Sequence, residues 1–117
     1  MVTIIGNRMV TTQTKQRDEV FRAIADPTRR EILNLLRGGG QTVGEIAANF
    51  RTSRPAISKH LRLLRSAGLV GTEQKGAARI CHLRAKPLRA VNEWLQGYEA
   101  FWKESLRSLK RYVEEDQ

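Results

Sequence analysis

Two helix starts stand close together in the middle of this chain, and a helix stop and two short alternating stretches follow directly. The first start is Thr42-Val43-Gly44-Glu45. It is a capping box, in which a threonine hydroxyl and a glutamate three residues on satisfy the free N–H groups of a helix end. The helix it opens is short, with Ile46, Ala47 and Phe50 as its apolar positions. Arg51-Thr52 leaves room only for a tight connection before Ser53, the N-cap of the next helix, which Gly68 closes as its C-cap. Leu69 to Gln74 and Ala78 to Leu83 then alternate, joined through Lys75-Gly76-Ala77, the pattern of a β-hairpin. A short helix, a tight turn and a second helix make a helix-turn-helix unit. A hairpin directly behind it makes a wing. The expected fold class is mostly α with a small β-hairpin, a winged helix-turn-helix.

The flanks agree with that reading. A first helix is expected from about Lys15 to Ala25, with Val20, Phe21 and Ile24 as its stripe. Asp26-Pro27 breaks and restarts the chain, Asp as N-cap and Pro at the first helical position, where its missing N–H costs nothing. The second helix runs to Arg37, buries Ile32, Leu33, Leu35 and Leu36, and stops at Gly38-Gly39-Gly40. Pro87 opens a last helix expected to run unbroken to about Glu114, its stripe made by Leu88, Val91, Leu95, Tyr98, Trp102, Leu109 and Tyr112. Trp94, Phe101, Leu106 and Val113 widen that stripe. Residues 1–13 read as a flexible tail and residues 14–117 as one DNA-binding and dimerisation domain, a length that needs no metal or disulfide to fold.

Charge then points to a partner. Twenty-one Lys and Arg stand against twelve Asp and Glu, a net charge of +9. Arg51, Arg54, Lys59, Arg62, Arg65, Lys75, Arg79, Arg84, Lys86 and Arg89 fall in one stretch whose only acid is Glu73, so this third of the chain carries the whole excess. Clustered positive charge is the footprint of a polyanion-binding surface. Winding Ser53 to Ala67 at about 100° per residue puts Ala56, Ile57, His60, Leu61, Leu63, Leu64 and Ala67 on one side. Arg54, Ser58, Lys59, Arg62 and Arg65 fall on the other, a row of donors on a cylinder that fits a major groove. Recognition helices read bases mainly with their N-terminal residues, which assigns base reading to Arg54, Ser58 and Lys59 and phosphate anchoring to Arg62 and Arg65. Ser53 at the helix entry, and Lys75 and Arg79 at the hairpin tip, complete the expected DNA-contact set. His60 lies among the packed residues.

Other classes fit less well. No paired carboxylates, nucleophile–histidine grouping or phosphate loop suggests an enzyme, and no cofactor is expected. No apolar run approaches a membrane span or a signal-peptide core, so a cytoplasmic, nucleoid-associated protein is expected and no membrane partner. An RNA-binding or protein-binding winged helix remains the alternative, although the basic stretch Arg51 to Arg89 has no aromatic residue on which an unpaired base would stack. Cys81, the only cysteine, excludes a disulfide within one chain. Arg79 and Arg84 nearby leave a thiol switch as an alternative trigger, against inert filling of a strand. Trp94, Tyr98, Phe101 and Trp102 gather aromatics on a helix too long for so small a domain. With Val91, Leu95 and Leu109 they form an expected homodimer interface.

Three segments resemble the ArsR (arsenic-repressor) family of winged-helix repressors. They are Ile24 to Leu33, Ser53 to Val70, and Trp94-Leu95 with Tyr98, Phe101-Trp102 and Leu109, the last like a metal-independent branch. The resemblance implies a homodimer on an imperfect palindrome, repressing a promoter that often includes its own. It places the main DNA contacts at Arg54, Ser58 and Lys59 and dimerisation in the first and last helices. Two departures stand out. Arg51 occupies a turn position where the family often has Gly. The third helix lacks the cysteines, and the last helix the histidines, of the metal-sensing members, so no metal of the usual family kinds is expected. No inducer is named by any of these residues.

Overall fold

A computed structural model describes the backbone of residues 2–5 and 8–115, and the side chains of residues 14–115. The helices are α1 (Thr12–Ile24), α2 (Pro27–Leu36), α3 (Val43–Ala47), α4 (Arg54–Ser66), α5 (Arg89–Gln96) and α6 (Glu99–Glu115), with a single 3-10 turn at Lys86–Leu88. Two strands near the start, β1 (Val2–Ile5) and β2 (Arg8–Thr11), pair antiparallel from Val2 opposite Thr11 to Ile5 opposite Arg8. Backbone pairing therefore occupies part of the segment read as a tail, and α1 begins at Thr12, ahead of the expected Lys15.

The wing is β4 (Val70–Lys75) and β5 (Ala78–Leu83), in register from Val70 opposite Leu83 to Lys75 opposite Ala78. A third strand that local pattern does not suggest, β3 (Gln41–Thr42), pairs with the far side of β5, so the sheet order is β3-β5-β4. The wing is thereby hydrogen-bonded to the residues that open α3. Ser53 and Thr42 cap as expected. Thr42 Oγ1 accepts from the Glu45 N–H at 3.1 Å while Glu45 Oε1 accepts from the Thr42 N–H at 3.1 Å, both halves of the capping box. Gly68 ends α4 at φ +80°, a left-handed conformation that a Cβ would strain.

The core sits where α1, α2, α3, α4 and the wing meet. Val20, Ile32, Ile46, Ile57, Leu64 and Leu69 are its fully buried members, joined by Leu33, Leu36, Leu61 and Val70. Ile57, Leu61, Leu64 and Ala67 of α4 face inward as expected, but Leu63 is 43% exposed and not part of that face. It stands at the margin of the apolar arc, lining an open groove between α4 and α1.

The expected unbroken last helix is two helices. The N–H groups of Gly97, Tyr98 and Phe101 donate to the carbonyls of Trp94, Leu95 and Tyr98, three residues back rather than four. This tightened turn bends the chain at Gly97, the poorest helix former in the segment apart from Pro. The apolar periodicity continues through the bend, so it gave no warning of it. Every residue of α6 is exposed. The Cα radius of gyration is 19.2 Å, against about 13 Å for a compact chain of this length, an extension to which the wholly exposed α6 contributes.

Candidate nucleic-acid interface

Helix α4 is held as a rigid rod with one free face. Ser53 Oγ accepts from the Ala56 N–H at 3.3 Å, so this hydroxyl caps the helix and still has its proton to donate outward. Arg54, Lys59, Arg62 and Arg65 are exposed, and Ser58 is half-buried beside them. None of the four cations has an acidic partner among the described residues. The Arg54 guanidinium lies back against Gly44 at the start of α3, where a Cβ would stand 3.7 Å from its Cζ. The connection from α3 to α4, including Arg51, is made without left-handed backbone, since no described non-glycine residue has a positive φ. The arginine there costs no strain.

At the wing, Gln74 stands opposite Arg79 and Lys75 opposite Ala78, with Gly76 at φ +59° in the turn. Lys75 and Arg79 are exposed and likewise without acidic partners among the described residues. The basic residues of α4 and of the wing are thus unneutralised donors on an exposed surface. Such a surface can exchange its counterions for the phosphates of a polyanion.

Cys81 is 2% exposed in the middle strand, opposite both Gln41 and Thr72. Burial raises its thiol pKa, and the opposing pull of Arg65 and Arg79 does not reverse this. A reactive thiolate needs the opposite direction.

Behind the basic face, Asp26 Oδ2 accepts from the Arg29 N–H at 3.0 Å and caps α2. That bond, helped by the nearby Arg29 charge, holds its carboxyl below the ordinary 3.8 in spite of some desolvation. Arg29 reaches both ways from there. It donates to the α1 carbonyls of Ala23 at 2.7 Å and Arg22 at 3.0 Å, and its third nitrogen meets His60 Nδ1 of α4 at 3.4 Å. His60 is half-buried, as the sequence suggests. Arg29 lies in the Ile24 to Leu33 segment of the resemblance but takes no role from sequence alone, and its contact with His60 spans 31 positions.

The expected interface residues divide. Val91 and Leu95 are half-buried, Val91 against the chain's own core. Trp94, Tyr98, Phe101, Trp102 and Leu109 are 46–69% exposed, and Leu106, Tyr112 and Val113 extend the same bare face. Trp94 stacks edge-on with Phe21 of α1 at 5.7 Å and with Tyr98 at 5.3 Å. The cations of α6 differ from those of α4. Lys103 pairs with Glu99, Arg107 and Arg111 with Glu104, and Lys110 with Glu114. No helix of the described residues is long and apolar enough to cross a membrane.

Residues 26–72 match the family described as bacterial regulatory protein, arsR family. The transcriptional repressor SdpR of Bacillus subtilis is 41% identical over 81 residues, which cover 69% of this chain and 90% of that protein. A crystal structure of an ArsR family transcriptional regulator superposes with a TM-score of 0.68 at 36% identity, over 76% of this chain and 92% of that one. The homodimeric winged helix-turn-helix DNA-binding domain of a Mycobacterium bovis protein is also similar, with a TM-score of 0.60 at 26% identity over 74% of this chain and 82% of that one.

Proposed function

The chain belongs to the arsR family of bacterial regulatory proteins, and we propose on that premise that it is a homodimeric repressor of transcription that grips a palindromic DNA operator, its own promoter among the candidates. Membership makes it a transcriptional regulator and not an enzyme. The observation that carries the DNA reading is the row of unpaired cations on α4 and the wing, set against the self-neutralised charges of α6. In this proposal Arg54, Ser58 and Lys59 read base edges in the major groove, where Arg can make two bonds to one guanine. Ser53, Arg62 and Arg65 hold phosphates, and Lys75 and Arg79 follow the backbone or the minor groove from the wing tip.

The bare face of α5 and α6 is assigned to the second copy, through Trp94, Tyr98, Phe101, Trp102 and Leu109, with the half-buried Val91 and Leu95 at its edge. A two-fold pair would carry its recognition helices into successive major grooves, about one helical turn apart. The input signal is not a metal of the usual family kinds, since α3 offers no thiol and α5 and α6 no imidazole. Cys81 is assigned no part in it. Action on the nucleoid in the cytoplasm follows from the same reading.

A gel shift and footprint on the DNA upstream of the gene, with excess competitor at physiological salt, tests this. A protected site with two-fold symmetry is the expected result. Binding that competitor or salt abolishes on every duplex tried, or equal binding to RNA, would contradict it. On the recovered operator, Arg54→Ala should relax the preference at one base position per half-site, at a cost of about 1–3 kcal/mol. Arg65→Ala should weaken all duplexes alike and reduce the salt slope. Identical behaviour of the two variants would remove the division of roles.

A further inference from the structure

We propose that Arg29 is a positioning residue for DNA reading, acting through His60 to set the angle at which α4 presents its basic face. The proposal rests on the DNA reading above and adds what holds the reading helix in place. One planar guanidinium joins three elements. Its Nε and one terminal nitrogen close the last turn of α1 on the Ala23 and Arg22 carbonyls, and the other terminal nitrogen faces His60 Nδ1 on α4. Its own N–H is meanwhile fixed by Asp26, whose Oδ2 also stands 3.9 Å from His60 Nδ1. A guanidinium can only donate, so Nδ1 presents its lone pair and the imidazole proton sits on Nε2. The fork geometry is specific to arginine; lysine offers one point charge and cannot span the carbonyls and the ring together.

Two further facts make this bridge consequential. His60 directly follows Ser58 and Lys59 in the chain, so a change in its seating rotates the residues proposed to read bases. Apolar packing between α1 and α4 is also incomplete beside it. A groove of about 270 Å³ runs between them, lined by Glu19, Arg22, Ala23, Arg29, Leu63 and Ser66 among others. Where side chains do not interlock, the angle between two helices is not fixed by packing alone. A polar bridge across the gap supplies the missing restraint.

The test compares the full-length chain with His60→Leu, His60→Asn and Arg29→Met. It measures affinity for the footprinted operator and for a scrambled duplex, with a thermal melt of each variant. His60→Leu keeps the bulk and loses the acceptor, and should reduce the operator-to-scrambled ratio by about tenfold or more while scrambled binding stays level. His60→Asn places a carbonyl near the position of Nδ1 and should restore the ratio. Arg29→Met should resemble His60→Leu, and His60→Leu decides alone if Arg29→Met fails to fold. An unchanged ratio in His60→Leu, or an equal fall on both duplexes that tracks the melt, overturns the proposal. Nitrogen NMR of the His60 ring at mildly alkaline pH judges the bridge without DNA. An unprotonated Nδ1 whose shift moves in Arg29→Met supports it, and a protonated Nδ1 overturns it even if no operator is found.

Discussion

The winged body and the projecting arm solve the same problem in opposite ways. In the body, Ile32, Ile46, Ile57, Leu64 and Leu69 are fully buried by one another, and the cations of α4 and the wing tip are left without acidic partners among the described residues. In α6 the cations are paired within the helix, and Phe101, Trp102, Leu106 and Leu109 are left bare. The first region is complete as a fold and incomplete in charge. The second is complete in charge and incomplete as a fold. Each deficit names its own complement: a polyanion for the body and apolar surface, by our proposal a second copy, for the arm. Soluble proteins rarely leave so large an apolar stripe uncovered.

The largest effect should come from damaging the self-sufficient half. Leu64→Ala should cost about 2–5 kcal/mol in chemical denaturation, because the cavity it leaves cannot collapse. Most of that loss should persist whatever the protein concentration. A loss that vanished at high concentration would mean the body, too, depends on its partner. The arm should respond differently. Trp102→Ala should weaken self-association in sedimentation by about 2 kcal/mol or more, as for a central interface aromatic, with the buried body unchanged. Unaltered self-association would place the interface elsewhere.

Much of the body was legible because its signals are local. Thr42 with Glu45, Ser53 before its helix and Gly68 after it each act within a few residues, so the capping boundaries stand where the sequence puts them. What was not legible depends on distant neighbours. Two residues, Gln41 and Thr42, become β3 only because β5 lies beside them. Leu63 fits the apolar arc of α4 but faces an unfilled groove, and Arg29 finds His60 only in the folded chain. The bend at Gly97 was hidden by an apolar rhythm that runs straight through it. Among the proposed site residues, sequence pattern named the exposed row on α4 and the Ser53 cap, but not that the Arg54 guanidinium would lie back against Gly44.

Smaller effects sharpen the contrast. Asp26→Ala removes the α2 cap within the body and should cost about 1 kcal/mol. Because the folded carboxyl titrates below its ordinary 3.8, its contribution is fully present above that pH and is lost as pH falls through the lower folded value. Melts across the acid range should therefore show a shallower acid decline in Asp26→Asn, which keeps the cap but cannot titrate. An equally steep decline would assign the acid sensitivity to other carboxyls. Gly97→Ala should be mildest, raising stability by about 0.5–1 kcal/mol, since φ is −62° and an added Cβ stands 3.4 Å from the Trp94 carbonyl oxygen. If it instead weakened self-association, the bend itself would set how the arms meet.

The most direct measurement is operator affinity of a Phe101→Ser/Trp102→Ser variant, followed across protein concentration beside its sedimentation. The account predicts a folded monomer that still prefers operator sequence but binds it only weakly at the low concentrations where the parent chain saturates. A monomer that holds the full operator as tightly as the parent would contradict the claim that the body reads DNA and the arm supplies the second reader.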